Sequence, residues 1–195
     1  MLSAYVGAQK DPEETLPQIV NYRYSQTNTI SAFSVSVVDS SNNNITNTIL
    51  VTNSITIDND NKIVKYYIHG GTEGLRAKIT TTATFSDGTI LSNSYVMIFS
   101  KLREMSKKKA SEVLPYSINF QDTTPLKQNI LSYTIVGYVN GVSNNSIITS
   151  SSMSNNKVFF SVGMGSVGDR MEVVLKTLCA DNITLLVDRF YIDVR

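Results

Sequence analysis

The stretch Thr15-Leu16-Pro17-Gln18-Ile19-Val20-Asn21-Tyr22 returns later in the chain as Val113-Leu114-Pro115-Tyr116-Ser117-Ile118-Asn119-Phe120. Each copy opens a Ser/Thr/Asn-rich block of alternating residues that ends in a glycine turn and two strands. A chain written twice folds as the same unit twice, so the repeat constrains the architecture more than any single motif does. The 195 residues then divide into two modules of about 90 residues each, the size of a small β-sandwich.

Composition supports strands over helices. Hydrophobic residues make up 42%, enough for two real cores, while only 17% are charged. The remaining polarity comes from Ser, Thr and Asn, which suit strands and turns better than exposed helices. The net charge of +1 gives no global field toward nucleic acid or a membrane surface, and neither is expected as a partner. No stretch is long and apolar enough to span a bilayer as a helix. Residues 1–10 lack a basic start followed by an apolar core, so no signal peptide is expected there. Cys179 is the single cysteine, so no disulfide can form within the chain. Packing alone must stabilise it, which fits folding in a cytosol.

Residues 1–12 read as an N-terminal arm without a clear period, in which Tyr5 and Val6 could dock on a neighbour; a frayed terminus is the plainer alternative. Lys10-Asp11-Pro12-Glu13-Glu14 is a polar, proline-fixed entry to the first module, residues 13–100. In Ile30 to Val38, Phe33, Val35 and Val37 share one face and Ser34 and Ser36 the other, the period of a half-buried strand. Ile45 to Ile57 suggests one or two further strands. Leu75 to Phe85 alternates again, with Arg76, Lys78, Thr80, Thr82 and Thr84 on the outer face. Ser86-Asp87-Gly88-Thr89 suggests a type I′ hairpin turn.

The second module, residues 111–195, repeats this order. Tyr133 falls in the place of Phe33. Lys157-Val158-Phe159-Phe160 aligns with Lys62 to Lys65, and Gly165 to Arg170 with Gly71 to Arg76. Phe190, Ile192 and Val194 align with Val96, Ile98 and Ser100. Between the blocks, residues 101–110 carry the one basic cluster. It reads as a solvated linker in preference to a contact with nucleic acid or an acidic partner, because the cluster is short and no aromatics are interleaved. Six to seven short strands per module, spaced by turns, give the fold class: all-β, two tandem immunoglobulin-like β-sandwich domains with a short N-terminal arm. The missing Cys and Trp landmarks exclude an antibody-like domain but not the architecture.

Nothing in the chain assembles a catalytic constellation. His69 is the only histidine, sits before a Gly-Gly turn and has no counterpart in the second module. Cys179 lies in an alternating strand, as a small core residue would. Asp58-Asn59-Asp60-Asn61 lacks the glycine and the distant bidentate Glu of a calcium loop. Gly70-Gly71-Thr72-Glu73-Gly74 is not followed by the Gly-Lys-Ser/Thr of a phosphate loop. The sequons at Asn44, Asn144 and Asn182 are what chance yields in so Asn-, Ser- and Thr-rich a chain. The expectation is a non-enzyme with no catalytic, cofactor-binding or metal-binding residues and no cofactor.

Lys10-Asp11-Pro12-Glu13-Glu14-x-Leu16, the Gly70-Gly71-Thr72-x-Gly74 turn, and Ile79-Thr80-Thr81-Thr82 leading to Asp87-Gly88 form a recognisable set. The set resembles the small immunoglobulin-like modules of tailed-bacteriophage virion proteins. The second module keeps Glu112-Val113-Leu114 but lacks Lys-Asp-Pro, and has Gly165-Ser166-Val167-Gly168 for the glycine turn. The resemblance implies a structural, non-enzymatic component of a virion: a head decoration, a neck or collar protein, or a tail accessory. It would be present in multiple copies, made in the host bacterial cytoplasm, and would bind other virion proteins of capsid, neck or tail. Attachment is then expected through the arm, with Tyr5, Val6 and Lys10 as interaction residues. The alternative is a carbohydrate-binding module or surface adhesin contacting host-surface glycans, with Tyr66 and Tyr67 as stacking residues among the available Tyr22, Tyr24, Tyr66 and Tyr67.

Overall fold

The computed structural model describes residues 8–22, 28–60, 62–101, 104–120 and 128–195. They fall into two compact units, Met1–Lys101 and Leu102–Arg195. In the first unit the strands are β1 (Ala8–Lys10), β2 (Thr15–Asn21), β3 (Ile30–Val38), β4 (Thr56–Asp58), β5 (Ile63–His69), β6 (Arg76–Phe85) and β7 (Ile90–Phe99). One sheet has the order β1-β7-β6-β3 and the other pairs β2, β5 and β4. That is the two-sheet partition of an immunoglobulin-like sandwich. β1 runs parallel to β7, with Ala8, Gln9 and Lys10 opposite Met97, Ile98 and Phe99.

The second unit repeats the plan with β8 (Glu104–Lys108), β9 (Leu114–Asn119), β10 (Ile130–Val139), β11 (Val142–Ser143), β12 (Ile148–Ser154), β13 (Lys157–Val162), β14 (Arg170–Cys179) and β15 (Leu185–Val194). β11, β10, β14 and β15 form one sheet, with β8 parallel to β15, and β12, β13 and β9 form the other. Residues 101–110 are therefore not a linker throughout. Glu104–Lys108 is the first strand of the second sandwich, as Ala8–Lys10 is of the first. By the same token residues 8–10 belong to the first sandwich and not to a free arm. Sequence pattern missed both strands because three to five residues are too few to show a period of two.

Backbone hydrogen bonds fix the equivalence of the units. Gly74 N donates to Phe99 O and Gly168 N to Val194 O; Ser100 N donates to Lys10 O and Arg195 N to Lys108 O. Phe99 thus corresponds to Val194, one residue away from the alignment read from sequence. The cause is the last hairpin. Phe85 N donates to Thr89 O, whereas Cys179 N donates to Thr184 O, so the second loop is one residue longer. A second slip of one residue occurs at β13. Asn21 faces Ile63 and Asn119 faces Lys157, so Val64 matches Val158 and Tyr66 matches Phe160. Each slip exchanges the faces of a strand, and only burial resolves it.

Two local elements also differ from expectation. Ile45 to Ile57 forms a single helical turn, α1 (Thr46–Ile49), before β4. The Asp87-Gly88 hairpin is not type I′, because only Gly88 has positive φ, at 84°. Gly88 N donates to Phe85 O, so a turn at Ser86 and Asp87 is closed by one left-handed glycine, the bulged three-residue loop. Asn140-Gly141, with φ of 51° and 81°, is the turn with both central residues left-handed, and it joins β10 to β11.

The inward residues of both sheets make each core. In the first unit Val37, Val64, Tyr66, Ile68, Ala77, Ile79, Ala83 and Phe99 are fully buried, and Tyr22 meets Phe33 and Phe85 edge-on. The Tyr22 hydroxyl donates to Thr81 Oγ1 at 3.1 Å, and the Tyr66 hydroxyl lies 3.1 Å from that of Tyr95, so polar links cross between the sheets. In the second unit Tyr116, Phe160 and Phe190 form a three-ring cluster instead. Thr177 Oγ1 there is buried without a hydrogen-bond partner among the described residues, and an orphaned buried hydroxyl is destabilising. Thr177→Val, which keeps the shape, is expected to stabilise the second unit by about 1 kcal/mol in urea denaturation. At Gly71 the φ of 102° and a Cβ position only 2.3 Å from Phe99 Cδ1 exclude a side chain on two counts. Gly71→Ala should cost about 2–4 kcal/mol. Gly74→Ala, left-handed but facing open space, should cost about 1 kcal/mol by the same measurement.

Candidate interaction surface

The first motif of the chain resolves into a buried lysine. Lys10 is 0% exposed. Its Nζ donates to Asp11 O at 2.8 Å and Gly70 O at 3.2 Å and sits 5.1 Å from the centroid of the Phe99 ring. Gly71 packs against the same ring. Lys10 and the Gly-Gly turn, far apart in sequence, thus meet around Phe99. Asp11 N donates to Glu14 Oε2 at 2.9 Å, and Glu14 N to Asp11 O at 3.0 Å, which closes the turn into β2. Burial pushes the Lys10 ammonium down to about 8, against the opposing pull of Glu14 and Asp11.

The second unit builds the same turn from different residues. Lys108 is 2% exposed, and its Nζ donates to Lys109 O, Ala110 O and Glu112 O at 2.9, 3.4 and 3.0 Å. Lys109 N donates to Glu112 Oε2 at 2.9 Å, as Asp11 N does to Glu14. Lys108 therefore stands in the place of Lys10, and the motif persists without Asp or Pro. The sequence signal was present: a lysine four residues before a glutamate, in both copies.

These positions correct the expected interaction residues. Lys10 is a structural group and not a surface contact. Tyr66 is 0% and Tyr67 4% exposed, so neither presents a ring face for stacking; the Lys65 ammonium lies 4.7 Å from the Tyr67 centroid. Tyr22 is buried as well. Tyr5, Val6 and Tyr24 lie outside the described residues. His69 sits in β5 opposite Thr15. Cys179 is fully buried, and its thiol is pushed up to about 11 by burial first and the nearby Asp181 second. Asp58 ends β4, and in the turn at Asn59 and Asp60 the Asn59 Oδ1 accepts from Ile30 N at 2.8 Å; Asn61 lies outside the described residues. Burial alone would raise the Asp181 carboxyl. Hydrogen bonds from Thr184, Ile183 and Gln128 outweigh it and hold the group well below the usual carboxylate range. No group of three His, Cys, Asp or Glu among the described residues could hold a metal, and none of their helices is long and apolar enough to cross a membrane.

What the first unit does display is an uncharged grid of hydroxyls. Register places Ser34, Thr82 and Ser92 in one row and Ser36, Thr80 and Ser94 in the next, on the outer face of β3, β6 and β7. Thr82 and Ser92 pair their hydroxyls at 2.9 Å, and so do Thr80 and Ser94. The four serines are exposed. The alternation had already put Ser34, Ser36, Thr80 and Thr82 outward; the overlooked signal was that no charge interrupts either row. The matching rows of the second unit differ: Lys176 stands where Thr82 does and Arg189 where Ser94 does, and Arg189 Nη1 donates to Glu172 Oε1 at 3.0 Å.

No family model matches the chain, and no curated protein matches it. Among solved structures it is similar to the titin I-band fragment I67–I69, at 12% identity and a TM-score of 0.32 over 97% of its length. The chain spans 62% of that fragment. It is also similar to titin domains Z1Z2 in complex with telethonin, at 9% identity and a TM-score of 0.31, covering 97% of this chain and 92% of that one. Likeness at this level carries no argument, and the immunoglobulin-like fold rests on the strand order and register within each unit.

The lysine makes a pH prediction. Its group holds its proton up to about 8 in the fold and to 10.5 in the unfolded chain. Between these values the unfolded state binds more protons, so stability rises with pH. Measured against Lys10→Met, the wild type should gain stability from pH 8 to 10.5. A constant difference across that window in matched denaturation series would contradict the assignment.

Proposed function

We propose that this chain is a non-enzymatic structural component of a tailed-phage virion, a head decoration, neck or tail accessory, that works by protein–protein adhesion. The observation that carries the adhesive reading is the pair of uncharged hydroxyl rows on β3, β6 and β7 of the first unit, which end at the exposed Lys78 and Arg76 on the same face. Low charge and many short hydroxyls let a surface pair with another protein without desolvating ions, which is the expensive step in forming an interface. The virion reading is supported by the motif set around Lys10 and Gly70-Gly71, whose members converge on Phe99. The motif works as architecture, which fits a module used for mounting and not for chemistry.

The point of attachment is residues 1–7, which lead into β1 at the edge of its sheet. A segment leading into an edge strand can add a strand to a neighbour. β1 itself is not part of that segment, because Lys10 is needed to close the sandwich. Two truncations separate these roles. Removal of residues 1–7 is expected to leave the melting transition in place and to abolish recovery of the protein in purified particles. Removal of residues 1–12 is expected to unfold the first unit. Normal incorporation after the shorter truncation would remove the arm from the proposal.

A further inference from the structure

We infer that the first unit pairs with a second copy of itself through β3, edge to edge and antiparallel. β3 ends the sheet order β1-β7-β6-β3, so among the described residues no strand lies on its other side. The direction of its backbone groups follows from Val37. Val37 N donates to Thr46 Oγ1 at 2.8 Å, and Val37 O accepts from Ile45 N at 2.9 Å. Both groups therefore point away from β6. Register with β6 is unbroken from Ala32 to Val38, and strand groups alternate with a period of two. The N–H and C=O of Phe33 and Val35 thus face outward along the open edge.

The middle of the strand carries no charge or proline against pairing: Ile30–Val38 reads ISAFSVSVV, whereas natural edges are normally guarded by Lys, Pro or an inward charge. The one irregularity is the bulge between Ile30 and Ala32, which bends the start of the strand aside. At the other end residues 44–46 cover Val37 and Val38. The open edge is therefore residues 32–36.

That short edge is complementary to itself. A two-fold axis requires each residue pair to occur twice. With Phe33 opposite Val35 of the second copy, both outward-facing residues of both copies exchange hydrogen bonds. Pairing Val35 with Val35 would oppose Phe33 to Val37, whose groups are already taken. Pairing Phe33 with Phe33 would oppose Val35 to Ser31 in the bulge. Only the first register uses every free group, and it sets Ser34 opposite Ser34. The row Ser34-Thr82-Ser92 then continues without charge into its copy, where like charges would otherwise oppose. β10 has the same outward groups at Tyr133 and Ile135, since Gly137 N donates to Asn145 Oδ1 and Gly137 O accepts from Asn144 N. Its row, however, contains Lys176 beside Thr134. An edge of this length buries far less than the roughly 1,600 Å² of a stable interface. The pairing therefore belongs to high local concentration, as among neighbouring copies on one scaffold. It does not depend on that scaffold being a virion.

Ser34 forms a non-hydrogen-bonded pair with its copy, in which Cα atoms lie about 4.5 Å apart, within disulfide reach. Full-length Ser34→Cys and Ser36→Cys should be oxidised with diamide at millimolar protein, with wild type as the control for buried Cys179. The expected result is a covalent dimer of Ser34→Cys forming at least tenfold faster than one of Ser36→Cys. Wild type is expected to rise in mass with concentration in sedimentation, and Ser34→Lys, an exposed change that leaves the core intact, should abolish that rise. Equal cross-linking of the two cysteine variants, no cross-linking, or an unchanged mass rise for Ser34→Lys would each overturn the inference.

Discussion

An ammonium group buried at the entrance of each sandwich is the constraint on which the rest of the fold hangs. Lys10 and Lys108 come last in a short strand that runs parallel to the final strand of its unit. The chain must then reverse at once to enter the opposite sheet, which leaves carbonyl groups at the reversal without strand partners. In each unit one lysine adds a charged donor to these carbonyls, beside the backbone N–H of a glutamate four residues on, whose carboxylate caps the following N–H. Taking an ammonium out of water is costly, and the depressed proton affinity of Lys10 reflects that cost. The turn holds because the ligands of the charge are backbone groups fixed by the sheets themselves.

Around that shared frame the two units diverge in ways that physical chemistry permits. The first core joins its sheets through tyrosine hydroxyls, Tyr22 to Thr81 and Tyr66 to Tyr95. The second replaces Tyr22 with Phe120 and Tyr66 with Phe160, and packs rings on rings. The outer faces diverge as well. The first unit keeps uncharged hydroxyls in register across three strands, and the second places Lys176 at the position of Thr82 and Arg189 at that of Ser94. A duplicated module thus retains its backbone economy while one copy keeps a face and an edge open to pairing.

Most of the architecture was legible in the residues. Alternation in Ile30 to Val38 and Leu75 to Phe85 marked true strands, and the repeated Leu-Pro stretch marked the same strand, β2 and β9, in each unit. Short elements were not legible. Ala8–Lys10 and Glu104–Lys108 are held by pairing with distant strands, so local pattern reads them as arm and linker. The strand phase at β13 and β15 was misplaced by one residue, because a one-residue loop insertion leaves composition unchanged while exchanging the faces. Tyr66 and Tyr67 looked available because aromatic residues suit both a core and a binding face, and only burial separates the two.

The sequence by itself determined two β-sandwich modules, their order and their polar, weakly charged character, because these follow from periodicity, turn residues and the repeat. Only the tertiary structure decided that Lys10 is internal, that Lys108 is its equivalent, and that Ser34, Thr82 and Ser92 form one row. The reason is range. Periodicity and turn chemistry act between neighbours in the chain, whereas the burial of a lysine against Gly70 and Phe99, or the outward aim of Phe33 and Val35 at an open edge, exists only once remote strands have found their register.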